Sequence, residues 1–225
     1  ERAGAQAIDA AQRAAQKLAW ESAAELHGLA LELVPERELT HALQEQHGDY
    51  LAYAGHHRAA AHAYLRAVPL APANARTPLS RRAAQQLMRA GDVRAATALL
   101  SQLLGEIGLR FPRNEAYALA VCLAGRLRRR VSGVPSPSPT RRRPAHEEQR
   151  LATLATVYAE LWLVDPVRAL AIHTWFFADA CRSKDRYCLQ ALTWEVSNLA
   201  VVDGPAALPR LADRQVRLSD GKVVA

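Results

Sequence analysis

Residues 48–72 read GDYLAYAGHHRAAAHAYLRAVPLAP, and their spacing decides the fold. Gly48, Gly55 and Ala60 are small, Tyr64 and Ala67 follow at steps of four and three, and Pro72 closes the segment. Gly55 is placed to end one helix, because a residue free to take φ > 0 closes a helix C-terminus. Ala60, Tyr64 and Ala67 then share one stripe of a second helix, with alanine where the two helices cross closely. Pro72 stops that second helix, since proline has no N–H to continue the ladder. The segment reads as one antiparallel helix pair.

The same offsets recur 36 to 37 residues away on either side. Upstream stand Ala11, Leu18, Ala23, His27, Ala30 and Pro35; downstream stand Ala84, Gly91, Ala96, Leu100, Leu103 and Gly108. The upstream copy has Leu18 where the others end a helix with glycine, and the downstream copy has Gly108 where proline is expected. A single pair cannot bury its apolar stripe, so pairs of this kind stack into an α-solenoid. Composition agrees with an all-α class. Half the residues are apolar but only 6% are aromatic, alanine dominates, and no β-branched alternation persists.

Beyond the third copy, residues 114–130 read as one long helix. A Pro/Ser/Arg-rich linker follows, VSGVPSPSPTRRRP at 131–144. Helices resume over 147–164, 166–182 and 186–202, with a last one after Pro205; Asp165 is a capping residue in front of Pro166 at the first helical position. The expected organisation is 1–131 for three helix pairs and a long helix, 132–146 for the linker, and 147–225 for further helices of the same kind. Trp162, Trp175, Phe176, Phe177 and Trp194 give the last part the heavier core.

The net charge of +7 is concentrated in one window. Seven arginines and no acid lie between Arg126 and Arg143, and the remaining 22 Lys and Arg equal the 22 Asp and Glu. Arg128, Arg129 and Arg130 close a helix, where cations complement the dipole, and Arg141, Arg142 and Arg143 sit in the linker. Together the six could hold an anionic surface such as nucleic acid, but no aromatics are interleaved for base stacking. A solvated linker is the commoner role of such a run. Deleting 141–143 is then expected to leave the fold almost unchanged.

No apolar run is long enough to cross a membrane, and no secretion signal opens the chain. Three cysteines, Cys122, Cys181 and Cys188, suit reduced thiols in a cytoplasm, with a turn at Lys184–Asp185 separating the last two. The chain begins at Glu1 and its only methionine is Met88, which reads as a piece of a longer polypeptide. His56, His57 and His62 lie close together, but none forms the i, i+4 pair that puts two imidazoles on one helical face, so no metal is expected. Glu147 and Glu148 are accounted for by the start of a helix. No catalytic motif and no cofactor-binding motif emerges.

The repeat pattern resembles the tetratricopeptide repeat (TPR). A wider similarity is carried by LAWESAAELHGLALEL (18–33), YLAYAGHHRAAAHAYLRA (50–67), RRAAQQLMRAGDVRAATALLSQLLGEIGLRFP (81–112), GRLRRRVSG (125–133) and RLATLATVYAELWLVDPVRALA (150–171). This order is similar to the C-terminal helical region of large bacterial serine/threonine protein kinases fused to an AAA/STAND-type ATPase; FFADACRSKDRY (176–187) departs from it. The resemblance implies a non-catalytic sensor or regulatory arm that binds protein, either a separate partner or other domains of the same polypeptide. The chain itself has no GxxxxGK[ST] loop, HRD loop or DFG. A free-standing TPR adaptor is the alternative. The TPR resemblance also implies a groove lined by the first helix of each pair, here Gln12 and Gln16, then Glu45 and Asp49, then Arg81, Gln85 and Arg89. The Lys/Asn set that clamps a peptide carboxylate is missing from these positions.

Overall fold

The structure is a computed structural model, and it describes residues 2–35, 39–132 and 142–202. It is all-α: the described residues form ten helices and no strand. They belong to two compact units, one ending at Leu109 and the other starting at Arg110.

The first unit holds six helices: α1 (Arg2–Gln16), α2 (Trp20–Leu33), α3 (His41–Tyr53), α4 (His57–Leu70), α5 (Ala73–Arg89) and α6 (Val93–Glu106). Each packs on the helix before it and the helix after it, which is solenoid-like order. The residues that define the repeat are the ones this packing buries. Ala11, Ala23, His27, Ala60, Ala67, Ala84, Ala96, Leu100 and Leu103 are all fully buried, and Tyr64 and Ala30 nearly so. The buried cluster of the first three helices joins Ala11 of α1, Ala23 and Ala24 of α2 and Tyr50 of α3. Gly48 shows why the seam needs small residues: a Cβ there would lie 2.6 Å from the Tyr64 ring.

Four turns share one hydrogen-bond pattern. Gly55, Gly91 and Gly108 take φ of +87°, +76° and +74°, and the following residue donates to the carbonyl five positions back. These bonds run His56 to Leu51 (2.8 Å), Asp92 to Leu87 (2.9 Å) and Leu109 to Leu104 (2.9 Å). This is the 6→1 bond of a Schellman C-cap. Leu18 adopts the same form at φ +60°, with Ala19 donating to Ala14 at 3.0 Å. The upstream copy therefore keeps the turn without its glycine. Gly108 ends α6 by the motif the other pairs use after their first helix, which explains how the third copy stops without proline.

The second unit contains α7 (Glu115–Ser132), α8 (Ala145–Leu161), α9 (Pro166–Ala180) and α10 (Arg186–Val202). Its centre is α9, against which α7, α8 and α10 all pack. Asn114 accepts from the Tyr117 N–H at 2.8 Å at the head of α7, and Asp165 caps α9 through the Arg168 N–H at 3.1 Å, in front of Pro166. The core is aromatic: the Tyr158 and Trp194 rings lie tilted against each other at 4.4 Å, and Phe176 lies 5.3 Å from Trp194. Helix α8 starts at Ala145, two residues before the sequence expectation, because extended Pro144 serves as its N-cap. Helix α9 stops at Ala180, so Cys181 and Cys188 lie on either side of a turn, both buried and unbridged. The helix expected after Pro205 and most of the linker lie outside the described residues.

Candidate functional site

In the first unit Gln12, Gln16 and Arg89 are exposed, and Arg81 and Gln85 are half-buried. Glu45 and Asp49 are drawn into an internal network. Arg82 donates from Nη1 to Glu45 Oε1 at 2.6 Å, and from Nη2 to Asp49 Oδ1 and to Tyr64 Oη, the last at 2.9 Å. Tyr64 Oη in turn donates to Asp49 Oδ1 at 2.6 Å, and the Arg82 guanidinium lies 4.4 Å from the centre of the Tyr64 ring. One guanidinium thus ties α3, α4 and α5 together. Burial holds the Tyr64 hydroxyl above its ordinary pKa, so it stays a donor. The sequence points to Arg81 and misses Arg82, one position and 100° of helix rotation away. His56 pairs with Glu21 and His57 with Gln86, each at 2.8 Å, so these two turn histidines bridge neighbouring helices.

The arginine window does not form one patch. Arg128 and Arg130 are exposed on α7, and Arg142 is exposed ahead of α8. Arg129 instead pairs with Glu195 of α10 at 3.1 Å, and its guanidinium sits 5.2 Å from the Phe177 ring centre. Arg143 departs furthest from the solvated linker that its sequence context suggests, with a side chain only 6% exposed. It donates to the Asp179 and Ala180 carbonyls at 3.1 and 2.5 Å, pairs with Asp185, and lies 3.7 Å from Glu147. The two carbonyls close α9 and Asp185 caps α10 through the Tyr187 and Cys188 N–H groups, so Arg143 joins two helix ends. Arg141 lies outside the described residues.

The second unit also has a cavity of about 130 Å3 between α7, α9 and α10. Its polar floor is His173, Glu195 and Asn198, with Arg126 and Arg129 beside them. Leu119, Leu123, Val167 and Leu170 supply the apolar wall. Gly125 lets α7 come this close, since a Cβ there would meet the Thr174 methyl at 2.3 Å. His173 Nδ1 faces Glu195 Oε2 and its Nε2 faces the Ala191 carbonyl, both at 3.3 Å. Both neighbours are acceptors, and a neutral ring satisfies only one of them at a time. Burial, with the Arg129 charge adding to it, lowers the His173 pKa to about 3, against the pull of the Ala191 carbonyl. Asn198 accepts from Tyr158 Oη at 2.9 Å through Oδ1, while its buried Nδ2 has no partner. Burial also raises the Cys122 thiol, which remains protonated at the cavity wall. The sequence carries a faint signal for this site, a mid-helix glycine and a buried-helix acid, but residues 122–198 in three helices meet only in space.

Among the described residues no set of three or more His, Cys, Asp or Glu is arranged to hold a metal ion, and no helix is long and apolar enough to cross a membrane. Fold and sites together define, among the described residues, an all-α protein with a polar clamp in the first unit and a partly open pocket between α7, α9 and α10 in the second. No protein-family model, no curated protein and no solved structure matches the chain.

Proposed function

We propose that the chain is a non-catalytic protein-interaction scaffold, the sensor or regulatory arm of a multidomain bacterial signalling kinase/ATPase. The observation that carries this reading is the sequential stack of the first unit. The first helices of the three pairs carry Gln12, Gln16, Arg81, Gln85 and Arg89 at corresponding positions of the repeat. The Arg82 clamp on Glu45 and Asp49 supports it too, because it makes α3 and α5 a fixed frame instead of separate helices. A partner would meet a polar surface on which Arg82 already holds the acids of α3. The same geometry serves a free-standing adaptor, and the surrounding gene distinguishes the two.

The test is in two stages. The coding sequence upstream of Glu1 is read first; a kinase catalytic loop and a P-loop there are expected. Autophosphorylation of the whole polypeptide is then compared with that of an Arg81→Glu/Arg89→Glu variant. A changed rate with unchanged thermal stability supports the regulatory arm. An unchanged rate and unchanged partner capture would remove this surface from the account.

A further inference from the structure

Helix α7 has an apolar face turned to α9, where Ala118 is buried and Gly125 meets Thr174. It has a second apolar face that stays exposed. Leu119, Leu123, Leu127 and Val131 follow one another at intervals of four and are 51%, 65%, 64% and 79% exposed, with Ala120 and Ala124 exposed beside them. Exposed leucines scattered singly need no explanation, but a row with one in each turn is a face built to be covered. At 1.5 Å per residue the row is about 18 Å long.

The directions of the neighbouring helices show what arrives at this face. Arg168, near the start of α9, donates to the Pro112 carbonyl just ahead of α7, at 2.8 Å. Further along, Thr174 and Phe177 of α9 meet Gly125 and Arg129 of α7, so the two helices run the same way. Helix α10 runs back along α9, since Phe176 meets Tyr187 and His173 faces Glu195. It is therefore antiparallel to α7, with Glu195 opposite Arg129 at 3.1 Å. Val202, the end of α10, lies about 10 Å further on, which carries it to the level of Leu119 and Leu123. The sequence continues from there as DGPAALPRLADRQVRLSDG (203–221). Gly204 and Pro205 read as a break, Pro209 suits a first helical position and Gly221 a stop. Between them Leu211, Ala212, Val216 and Leu218 fall on one half of a helix, and the five charged residues from Arg210 to Asp220 fall on the other. Such a helix is about 16 Å long, close to the length of the exposed row.

We propose that residues 209–220 of the same chain dock as an amphipathic helix on the exposed face of α7, setting Leu211 and Leu218 against Leu119, Leu123 and Leu127, and so cover the half-open pocket beside α10. The assignment concerns the second unit and does not rest on the interaction surface of the first.

The experiment places one reporter thiol on α7 of the whole chain, Leu127→Cys or Arg128→Cys, each in a Cys122→Ser background; the two remaining cysteines are buried. The two positions are neighbours, both exposed among the described residues, and 100° of helix rotation apart. Alkylation by iodoacetamide is followed by intact mass at several protein concentrations. A docked segment should make Leu127→Cys about tenfold slower than Arg128→Cys, independently of concentration. Adding Leu211→Asp and Leu218→Asp should remove the difference. Equal rates at the two positions would overturn the proposal, as would protection that persists in a folded chain with both aspartates. Protection that grows with protein concentration would also overturn it, by assigning the face to a second copy. If the chain with both aspartates does not fold, the comparison of the two positions across the concentration series still decides it.

Discussion

Leu18 holds a left-handed backbone at φ +60° with a side chain 70% exposed. An L-residue in that conformation is strained by roughly 1–2 kcal/mol, and glycine is not. Little packing is lost on truncation, so Leu18→Gly is expected to raise stability by about 1 kcal/mol, read as a higher urea midpoint at unchanged slope. Gly48 is the opposite case. Tyr64 cannot yield to a methyl group, because it is buried and held by Asp49 and Arg82. Gly48→Ala should therefore lower stability by about 2 kcal/mol or more, in the same denaturation assay. Three histidines set the response to acid. His173 is lowered to about 3, His47 to about 4 and His27 in the same direction, burial being the first cause in each. Unfolded histidines titrate near 6.5, so below that pH the unfolded chain takes up protons that the folded chain refuses. Stability is intact above 6.5 and is lost as pH falls from there towards 3. Replacing His173 by Gln should flatten this loss by on the order of 2 kcal/mol between pH 6.5 and 5. A loss as steep in the variant as in the wild type would show that His173 does not titrate in this way.

At the scale of elements, the helix pairs of the first unit were legible because small residues, an aromatic and turn glycines recur at fixed offsets, and each such residue is a packing requirement. Helix phase was less legible. Arg81, Arg82 and Arg89 are alike in composition, yet only a three-dimensional seam shows that Arg82 is the one aimed at Glu45 and Asp49. The arginines of 141–143 mislead for a related reason. A run of like charge beside Pro and Ser reads as solvated, but the carbonyls that end α9 and the acid that starts α10 are 36 to 42 residues away in sequence. Arg143 is thus a clasp on two helix ends, and at this residue the solvated linker expected from the sequence is replaced by a packed contact. Arg143→Met would leave Asp185 and two carbonyls without their cation, at a cost of about 3 kcal/mol, whereas Arg142→Met should be near neutral. Thermal unfolding of the two variants side by side checks the contrast.

For the whole molecule, the all-α class follows from composition and repeat, while the cavity does not. Its wall is assembled from α7, α9 and α10, and the packing of α7 on α9 skips across the segment that the sequence presents as a linker. The central claim is that the first helices of the first unit form a protein-binding surface. Its most direct test places a photo-crosslinking side chain at Gln12, Gln85 or Arg89, and for comparison at Glu32 or Arg94, which are exposed on second helices. The cells that make the protein are then irradiated and the adducts identified by mass spectrometry. The account predicts crosslinks to one protein, or to another domain of the same polypeptide, from the first set and not from the second. Crosslinks from Glu32 and Arg94 alone, or from neither set, would contradict it.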